Sequence, residues 1–245
     1  MFGLFKKKDT PVTITYESIA VDMHSHVLPG IDDGAQTPEE SIALIKKMME
    51  LGIRKIIATP HVMADYYKNT PETIGNALNI LKAELINQNI NIEVEAAAEH
   101  YFDETFEARV NNHKLLTMGD NYVLFEFSFI NQPPNAVEVI MKMKELGYRP
   151  ILAHPERYVY MDIEQLQNIR SWGCNLQLNT ISLTGYFGKD ARKKAEAMVD
   201  NDMVDFISSD MHHLRHAQAF KDALKTPYVH RLLTNYPLKN IMLLK

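Results

Sequence analysis

The chain has 245 residues, 46% of them hydrophobic, which is enough to bury one large core. Its formal net charge of −5 leaves no global footprint for nucleic acid, and a single cysteine, Cys174, excludes an internal disulfide framework and fits a reducing compartment, the cytoplasm by default. No apolar run approaches the ~18 residues of a membrane span, and the opening Met1-Phe2-Gly3-Leu4-Phe5-Lys6-Lys7-Lys8 sets its charges after a very short apolar stretch, the reverse of signal-peptide order; no stable membrane insertion is expected. With no composition shift or Gly/Ser linker, the expectation is a flexible N-terminal segment, 1–18, and one domain, 19–245.

The first strand-like run, Ile19 to His26, ends in Asp22-Met23-His24-Ser25-His26. Residues two apart on an extended strand share a face, so His24 and His26 can grip one ion; Asp22 has the same parity but lies deeper. The turn-rich Leu28 to Ala35 brings Asp32 and Asp33 toward the same end, where either can approach a metal or cap a turn. Thr37-Pro38-Glu39-Glu40 reads as an N-cap, a proline at the first helical position and a capping box closed by Glu40. Ile42, Ile45, Met48 and Met49 then give the buried stripe, and Gly52 ends the helix.

The second run, Arg54 to His61, is cut by Pro60, which places His61 just past the strand. Thr70-Pro71-Glu72-Thr73 repeats the helix-start grammar before Ile74, Leu78, Leu81 and Leu85. In the third run, Asn91 to Glu99, the alanines at 96–98 leave space beneath Glu99 for a carboxylate that bridges two ions. Alanine also favours helix, but the alternation Ile92-Glu93-Val94-Glu95 speaks for strand. The fourth, Tyr122 to Ser128, encloses Glu126 between Phe125 and Phe127; an unpaired buried carboxylate is costly, so Glu126 needs a metal or a cation.

After a helix over Asn135 to Leu146, the fifth run, Arg149 to His154, continues as Pro155-Glu156-Arg157. A helix over Asp162 to Ser171, a sixth strand over Asn175 to Ile181 and a helix over Lys189 to Asp200 follow. The seventh, Val204 to Asp210, runs into Met211-His212-His213, where Asp210 and His212 repeat the two-residue spacing of the first strand; a last helix covers Ala217 to Leu224. Near-continuous apolar stretches such as Lys55-Ile56-Ile57-Ala58 suit parallel strands buried on both faces. Seven such strands alternating with helices indicate an α/β barrel or a doubly wound sheet, and ligand residues at so many strand ends favour the barrel. A metal-dependent enzyme follows.

At these residues the chain resembles the polymerase-and-histidinol-phosphatase (PHP) superfamily of metallo-phosphoesterases. More narrowly, it is similar to the bacterial PHP-type protein-tyrosine phosphatases encoded with capsule or exopolysaccharide machinery. The matching text is Val21 to Ala35, Ala58-Thr59-Pro60-His61, Ala153-His154-Pro155-Glu156-Arg157-Tyr158 and Ser208-Ser209-Asp210-Met211-His212, within about residues 20–225. The resemblance implies a distorted seven-stranded (β/α) TIM-like barrel and three divalent ions, with manganese first and iron, zinc or magnesium as alternatives. It places His24, His26, Glu99 and Asp210 around one ion; Glu99 bridges to a second held by Glu126 and His154; Asp33, His61 and His212 complete the third. Arg157 matches the arginine that grips phosphate, and Arg215 lies where another is expected. Many members carry a Gly-containing run on the third strand, where this chain has Ala97-Ala98-Glu99-His100-Tyr101. The readings open for His100 and Tyr101 are substrate pocket and rim packing, and His213 and His216 read as solvated or supporting residues.

Such a site suits phosphomonoester hydrolysis, because metal ions acidify water and neutralise the phosphoryl group. The expected activity is a metal-dependent protein-tyrosine phosphatase, with an autophosphorylated bacterial tyrosine kinase that controls polysaccharide export as the partner the resemblance implies. Cys174 has no arginine six positions on, where Thr180 stands, so a cysteine-based phosphatase is dismissed. The competing readings are a histidinol phosphatase or other small-molecule phosphoesterase, and a metal-bound regulatory module without turnover.

Overall fold

The computed structural model describes residues 14–244. Nine strands form among them: β1 (Val21–Asp22), β2 (Lys55–Ala58), β3 (His61–Val62), β4 (Glu93–Ala96), β5 (Glu99–Tyr101), β6 (Tyr122–Glu126), β7 (Arg149–Ala153), β8 (Asn175–Asn179) and β9 (Phe206–Ser208). The helices are α1 (Pro38–Glu50), α2 (Pro71–Asn87), α3 (Phe106–Asn111), α4 (Ala136–Glu145), α5 (Ile163–Ser171), α6 (Lys189–Asp200), α7 (Leu214–Ala223) and α8 (Pro227–Asn235). This is an α/β fold with two parallel sheets, ordered β1-β2-β4 and β3-β5-β6-β7-β8-β9.

The strand count differs from the expected seven because two of the expected strands are each broken in two. Pro60 has no N–H to donate, and it separates β2 from β3; Ala97 and Ala98 separate β4 from β5. Backbone bonds cross both breaks: Ala97 N donates to Ala58 O at 2.8 Å and Glu99 N to Pro60 O at 3.1 Å. Thr59 N donates to Ser25 O at 2.8 Å, and Ser25 pairs in parallel with Met211, which links the chain after β1 to the chain after β9.

Both faces of the sheets are apolar, as strands with helical crossovers require. On β6, Val123 and Phe125 join the larger core under the helices, with Ile45, Leu81, Leu152 and Phe220. Tyr122 and Leu124 join a smaller cluster with Met23, Ile57, Ala97, Ile151 and Phe206 on the other face. Glu126 is in step with Leu124, and Glu99 with Ala97, so period-2 geometry turns the column of apolar side chains into carboxylates at the strand ends.

Several helix starts follow their caps. Thr37 Oγ1 accepts from Glu40 N at 3.3 Å, but the expected box stays open, since the Glu40 carboxylate accepts instead from Gln36 N at 2.8 Å. The reciprocal box forms at Thr70 and Thr73, 3.2 and 2.9 Å. Of the expected segment 1–18, residues 1–13 lie outside the described ones. Tyr16 is buried, stacks on Phe220 with centroids 3.9 Å apart and donates to Phe220 O at 2.9 Å, so this end of the segment packs into the body of the protein.

Candidate metal centre

The carboxyl ends of the strands and the turns after them converge on Glu99, which is fully buried on β5. Its Oε2 lies 3.1 Å from His61 Nδ1, 3.3 Å from His24 Nε2 and 3.4 Å from His26 Nε2. Its Oε1 lies 3.0 Å from His154 Nε2. Asp210 Oδ1 faces the same histidines, 3.4 Å from His24 Nε2 and 3.5 Å from His26 Nε2. Glu126 Oε1 approaches His61 Nδ1 at 3.3 Å, and Asp33 Oδ1 stands 3.5 Å from both His61 Nε2 and His212 Nε2.

Four groups of potential ligand atoms result, each with its members within 4.8 Å of one another: His26, Asp33, His61 and His212; His24, Glu99 and His154; His24, His26 and Asp210; and His61, Glu99 and Glu126. The nine residues singled out in the sequence all fall in these groups. Their partition differs from the expected one: His154 sits with His24 and Glu99, at 3.7 Å from Glu126, His61 faces Glu99 and Glu126 as well as Asp33, His26 joins Asp33, His61 and His212, and Glu99 falls outside the group of His24, His26 and Asp210.

The donor chemistry fits divalent cations. Glu99 Oε2 and His61 Nδ1 are buried and make no hydrogen bond despite their proximity, a costly state for polar atoms that a cation between them would relieve. Two side chains and one backbone carbonyl turn the imidazoles toward the cluster. His24 Nδ1 meets Gln177 Oε1 at 3.1 Å, His26 Nδ1 meets Asp32 Oδ2 at 2.7 Å and His212 Nδ1 meets Asp210 O at 2.9 Å. Each acceptor calls for the proton on Nδ1 and leaves the Nε2 lone pair for a metal. Nitrogen and carboxylate donors suit borderline to hard divalent ions.

Electrostatics match this assembly. Burial pushes the Glu99 pKa up, but His24 and His61, with a hydrogen bond from His154, overcome it and hold the carboxyl well below its usual range. Burial likewise opposes ionisation of Asp210, and the surrounding His24, His212 and His154, with Arg157, hold it well down. Burial disfavours a charged His61, yet Glu99 and Glu126 hold its pKa up at about 9. A metal-free cluster therefore keeps protons that a bound cation displaces.

Two candidate metal ligands sit in left-handed backbone conformations, His154 at φ 34° and Asp210 at φ 50°. The turn at His154 ends β7 and starts the 3₁₀ segment Pro155–Arg157, which carries Arg157 to the cluster. The loop with Asp32 and Asp33 is held by Gly34, where a Cβ would come within 2.0 Å of His26 O; only glycine allows that approach.

A cavity of about 550 Å³ opens over the cluster and is walled by Tyr101, Ser128, Phe129, Ile130, Arg157 and Phe187 besides the ligand groups. Arg157 donates to Asp210 Oδ2 at 3.2 Å. Tyr101 lies on the wall, whereas His100 packs away from it and accepts from Leu116 N at 3.2 Å. Arg215, the second arginine expected for phosphate, is exposed in a neighbouring cleft of about 410 Å³ with Glu40, Leu44 and Leu214, which shares Asp33 and His212 with the cavity over the cluster. His216 is buried with Nδ1 2.9 Å from Asp210 O, a supporting place. Sequence reasoning missed Gln177 and Asn179, which brace His24 and Asp210; polar residues alternating at 175, 177 and 179 on an otherwise apolar strand were the available signal. It left Asp32 open between metal and turn, and the structure gives it to His26, Gly34 N and His61 N.

Parallel strands flanked by helices, with histidines and carboxylates gathered at the strands' carboxyl ends, define an α/β protein with a candidate divalent-metal centre. The family model for capsular polysaccharide synthesis, CpsB/CapC, matches residues 20–235, and the chain belongs to that family. It is 32% identical to the tyrosine-protein phosphatase YwqE of Bacillus subtilis over 198 residues, 80% of this chain and 78% of that protein. It is 27% identical to the tyrosine-protein phosphatase CpsB of Streptococcus agalactiae over 202 residues, 79% of this chain and 83% of the relative. Among solved structures it is similar to one from a study of YwqE from Bacillus subtilis and CpsB from Streptococcus pneumoniae, described as metal-dependent tyrosine phosphatases. The TM-score is 0.76 at 30% identity, covering 89% of this chain and 96% of the other.

Proposed function

We propose that the protein is a metal-dependent phosphomonoesterase that hydrolyses phosphotyrosine in proteins. The observation that carries this reading is Glu99 Oε2, buried and without a hydrogen bond among three imidazole nitrogens, in a chain whose relatives are tyrosine-protein phosphatases. Three divalent ions are the proposed complement, manganese first. The backbone bonds across the two strand breaks, together with the Ser25–Met211 pairing, support a distorted seven-stranded barrel around them. The proposed setting is the cytoplasm, with an autophosphorylated tyrosine kinase of capsule or exopolysaccharide synthesis as partner. No helix of the described residues is long and apolar enough to cross a membrane.

His24, His26, Asp33, His61, Glu99, Glu126, His154, Asp210 and His212 would hold the ions, which supply acidified water and neutralise phosphoryl charge. Arg157 directs its free N–H groups at the equatorial oxygens and stabilises charge as it redistributes in the transition state. Asp32 and Gln177 keep His26 and His24 in the metal-facing tautomer. Tyr101 and Ile130 offer apolar contact to an aromatic ring at the open mouth. A phenolate leaves readily, its conjugate acid having a pKa of about 10, so the leaving group makes little demand on a general acid. Cys174 takes no part: it is buried and burial pushes its thiol pKa far up.

The test compares kcat/KM of the metal-loaded protein on a tyrosine phosphopeptide, a serine phosphopeptide and histidinol phosphate, with metal content and anomalous scattering measured on the same preparation. The phosphotyrosine substrate is expected to lead. A preference for histidinol phosphate would replace this reading with the small-molecule phosphatase, and no turnover of any phosphomonoester would leave a metal-bound regulatory module.

A further inference from the structure

Two aromatic rings lie against the guanidinium of Arg157. Its Cζ lies 4.2 Å from the ring centroid of Phe187 and 4.6 Å from that of Phe129. One edge is fixed as well, because Nη1 donates to Asp210 Oδ2, an oxygen that also accepts from Asn179 Nδ2 at 2.7 Å. The rings come from separate connections: Phe129 follows β6, and Phe187 stands in the turn between Gly185 and Gly188 that leads into α6. Only about a quarter of the Arg157 side chain is exposed, 23%.

We infer that Phe129 and Phe187 are positioning residues that clamp Arg157, so that its remaining N–H groups present one fixed edge to a phosphate in the cavity. Rings over the faces of a guanidinium attract it through their quadrupoles and leave the donors, which lie in its plane, free to hydrogen-bond. An arginine otherwise gives up much rotamer freedom when it engages an anion. The two rings and the Asp210 contact remove that freedom before substrate arrives. The clamp acts on the phosphate and not on the group that carries it. This inference rests on the phosphatase reading for its purpose, but not for its geometry.

The experiment uses Phe187→Leu, which keeps apolar bulk and removes the ring, and Phe187→Tyr, which keeps the ring. Phe187 is chosen over Phe129 because Phe129 also stacks on His154, with centroids 5.8 Å apart. With metal content matched, Phe187→Leu should lower kcat/KM about fivefold to tenfold, the range corresponding to loss of one partly shielded cation–π contact. The loss should be equal for an aryl and an alkyl phosphomonoester, and Phe187→Tyr should stay within about threefold of the parent. In an Arg157→Ala background, Phe187→Leu should add nothing.

A loss confined to aryl phosphates, or one that persists undiminished without Arg157, would overturn the clamp in favour of ring stacking on substrate or a fold effect. Two readouts do not depend on turnover. In zinc-loaded protein the Arg157 Nε–H resonance should carry a ring-current shift that shrinks in Phe187→Leu and survives in Phe187→Tyr, and inorganic phosphate should bind more weakly only to the former. An unshifted resonance in the parent would dispose of the clamp even if phosphatase activity is found. A clear shift in a protein that hydrolyses no phosphomonoester would keep the clamp and remove the proposed function.

Discussion

The two ends of the same parallel strands are built for opposite purposes. Toward the amino ends lies a plug of Val21, Tyr122, Leu124, Ile151 and Phe206, in which every side chain finds apolar neighbours. A step or two along, the same strands and the turns after them present Glu126, His154 and Asp210, whose polar atoms crowd one another and leave Glu99 Oε2 unbonded. Burial is nearly complete at both ends. The plug is satisfied by the fold itself, whereas the cluster is satisfied only by something added. Buried depth therefore says little about whether a residue serves stability or chemistry; what distinguishes the two is whether its polar atoms have partners.

The comparison is tested most severely at Glu99. Glu99→Gln should lower kcat/KM by about three orders of magnitude, since Lewis-acid stabilisation worth several kcal/mol depends on the ions it would hold. The circular-dichroism spectrum should be unchanged. A variant that fails to fold would place Glu99 with the plug.

Leu124→Ala should show the reverse pattern. Removing a fully buried leucine costs about 2–5 kcal/mol of stability, read as a lower denaturation midpoint, while the remaining folded protein should keep its kcat within a few-fold. A large loss of turnover in fully folded protein would show that the plug and the cluster are not separable.

A smaller effect is expected at Asp32, which holds the His26 ring. Asp32→Asn should weaken metal binding about tenfold to a hundredfold, as loss of a supporting partner does, and saturating metal should restore activity. Failure of metal to rescue would give Asp32 a direct part in catalysis.

The smallest effect is in protons. His61 in the metal-free protein is held up at about 9, so its favourable contacts as a cation contribute stability that is fully present below its unfolded pKa of about 6.5 and is lost as pH rises through about 9. Metal-free protein should thus lose melting temperature across that window, and metal-loaded protein should not follow. Calorimetric titrations in buffers of different ionisation enthalpy should show proton release on metal binding at neutral pH, and less of it once pH has risen through about 9. Binding without proton release at neutral pH would contradict the crowded, protonated cluster.

Much of this contrast could be read from residues alone, because strand parity and helix caps are local. Parity placed His24 with His26, and the Thr-Pro-Glu grammar marked α1 and α2. No helix was expected where α8 forms, although Thr226-Pro227 opens it with the same cap and proline; short α3, with no side-chain cap, carries no such signal. The breaks in the second and third strands depend on which backbone lies alongside, and the role of Gln177 depends on two histidines far away in sequence. The direction of Arg215 is left open by the sequence for a related reason. Spacing from Asp210 fixes its position on α7 but not the direction of its side chain, and the first turn of that helix faces the outer cleft.

His154 and Asp210 share one further trait, a backbone turned into the left-handed region. For a residue with a Cβ this costs on the order of 1 kcal/mol, and glycine largely escapes it. The two positions are thus in tension between heredity for activity and heredity for sturdiness. A gene copy released from its task but still selected for thermal resistance should drift toward glycine or asparagine at 154 and 210 early, erasing its chemistry while improving its survival.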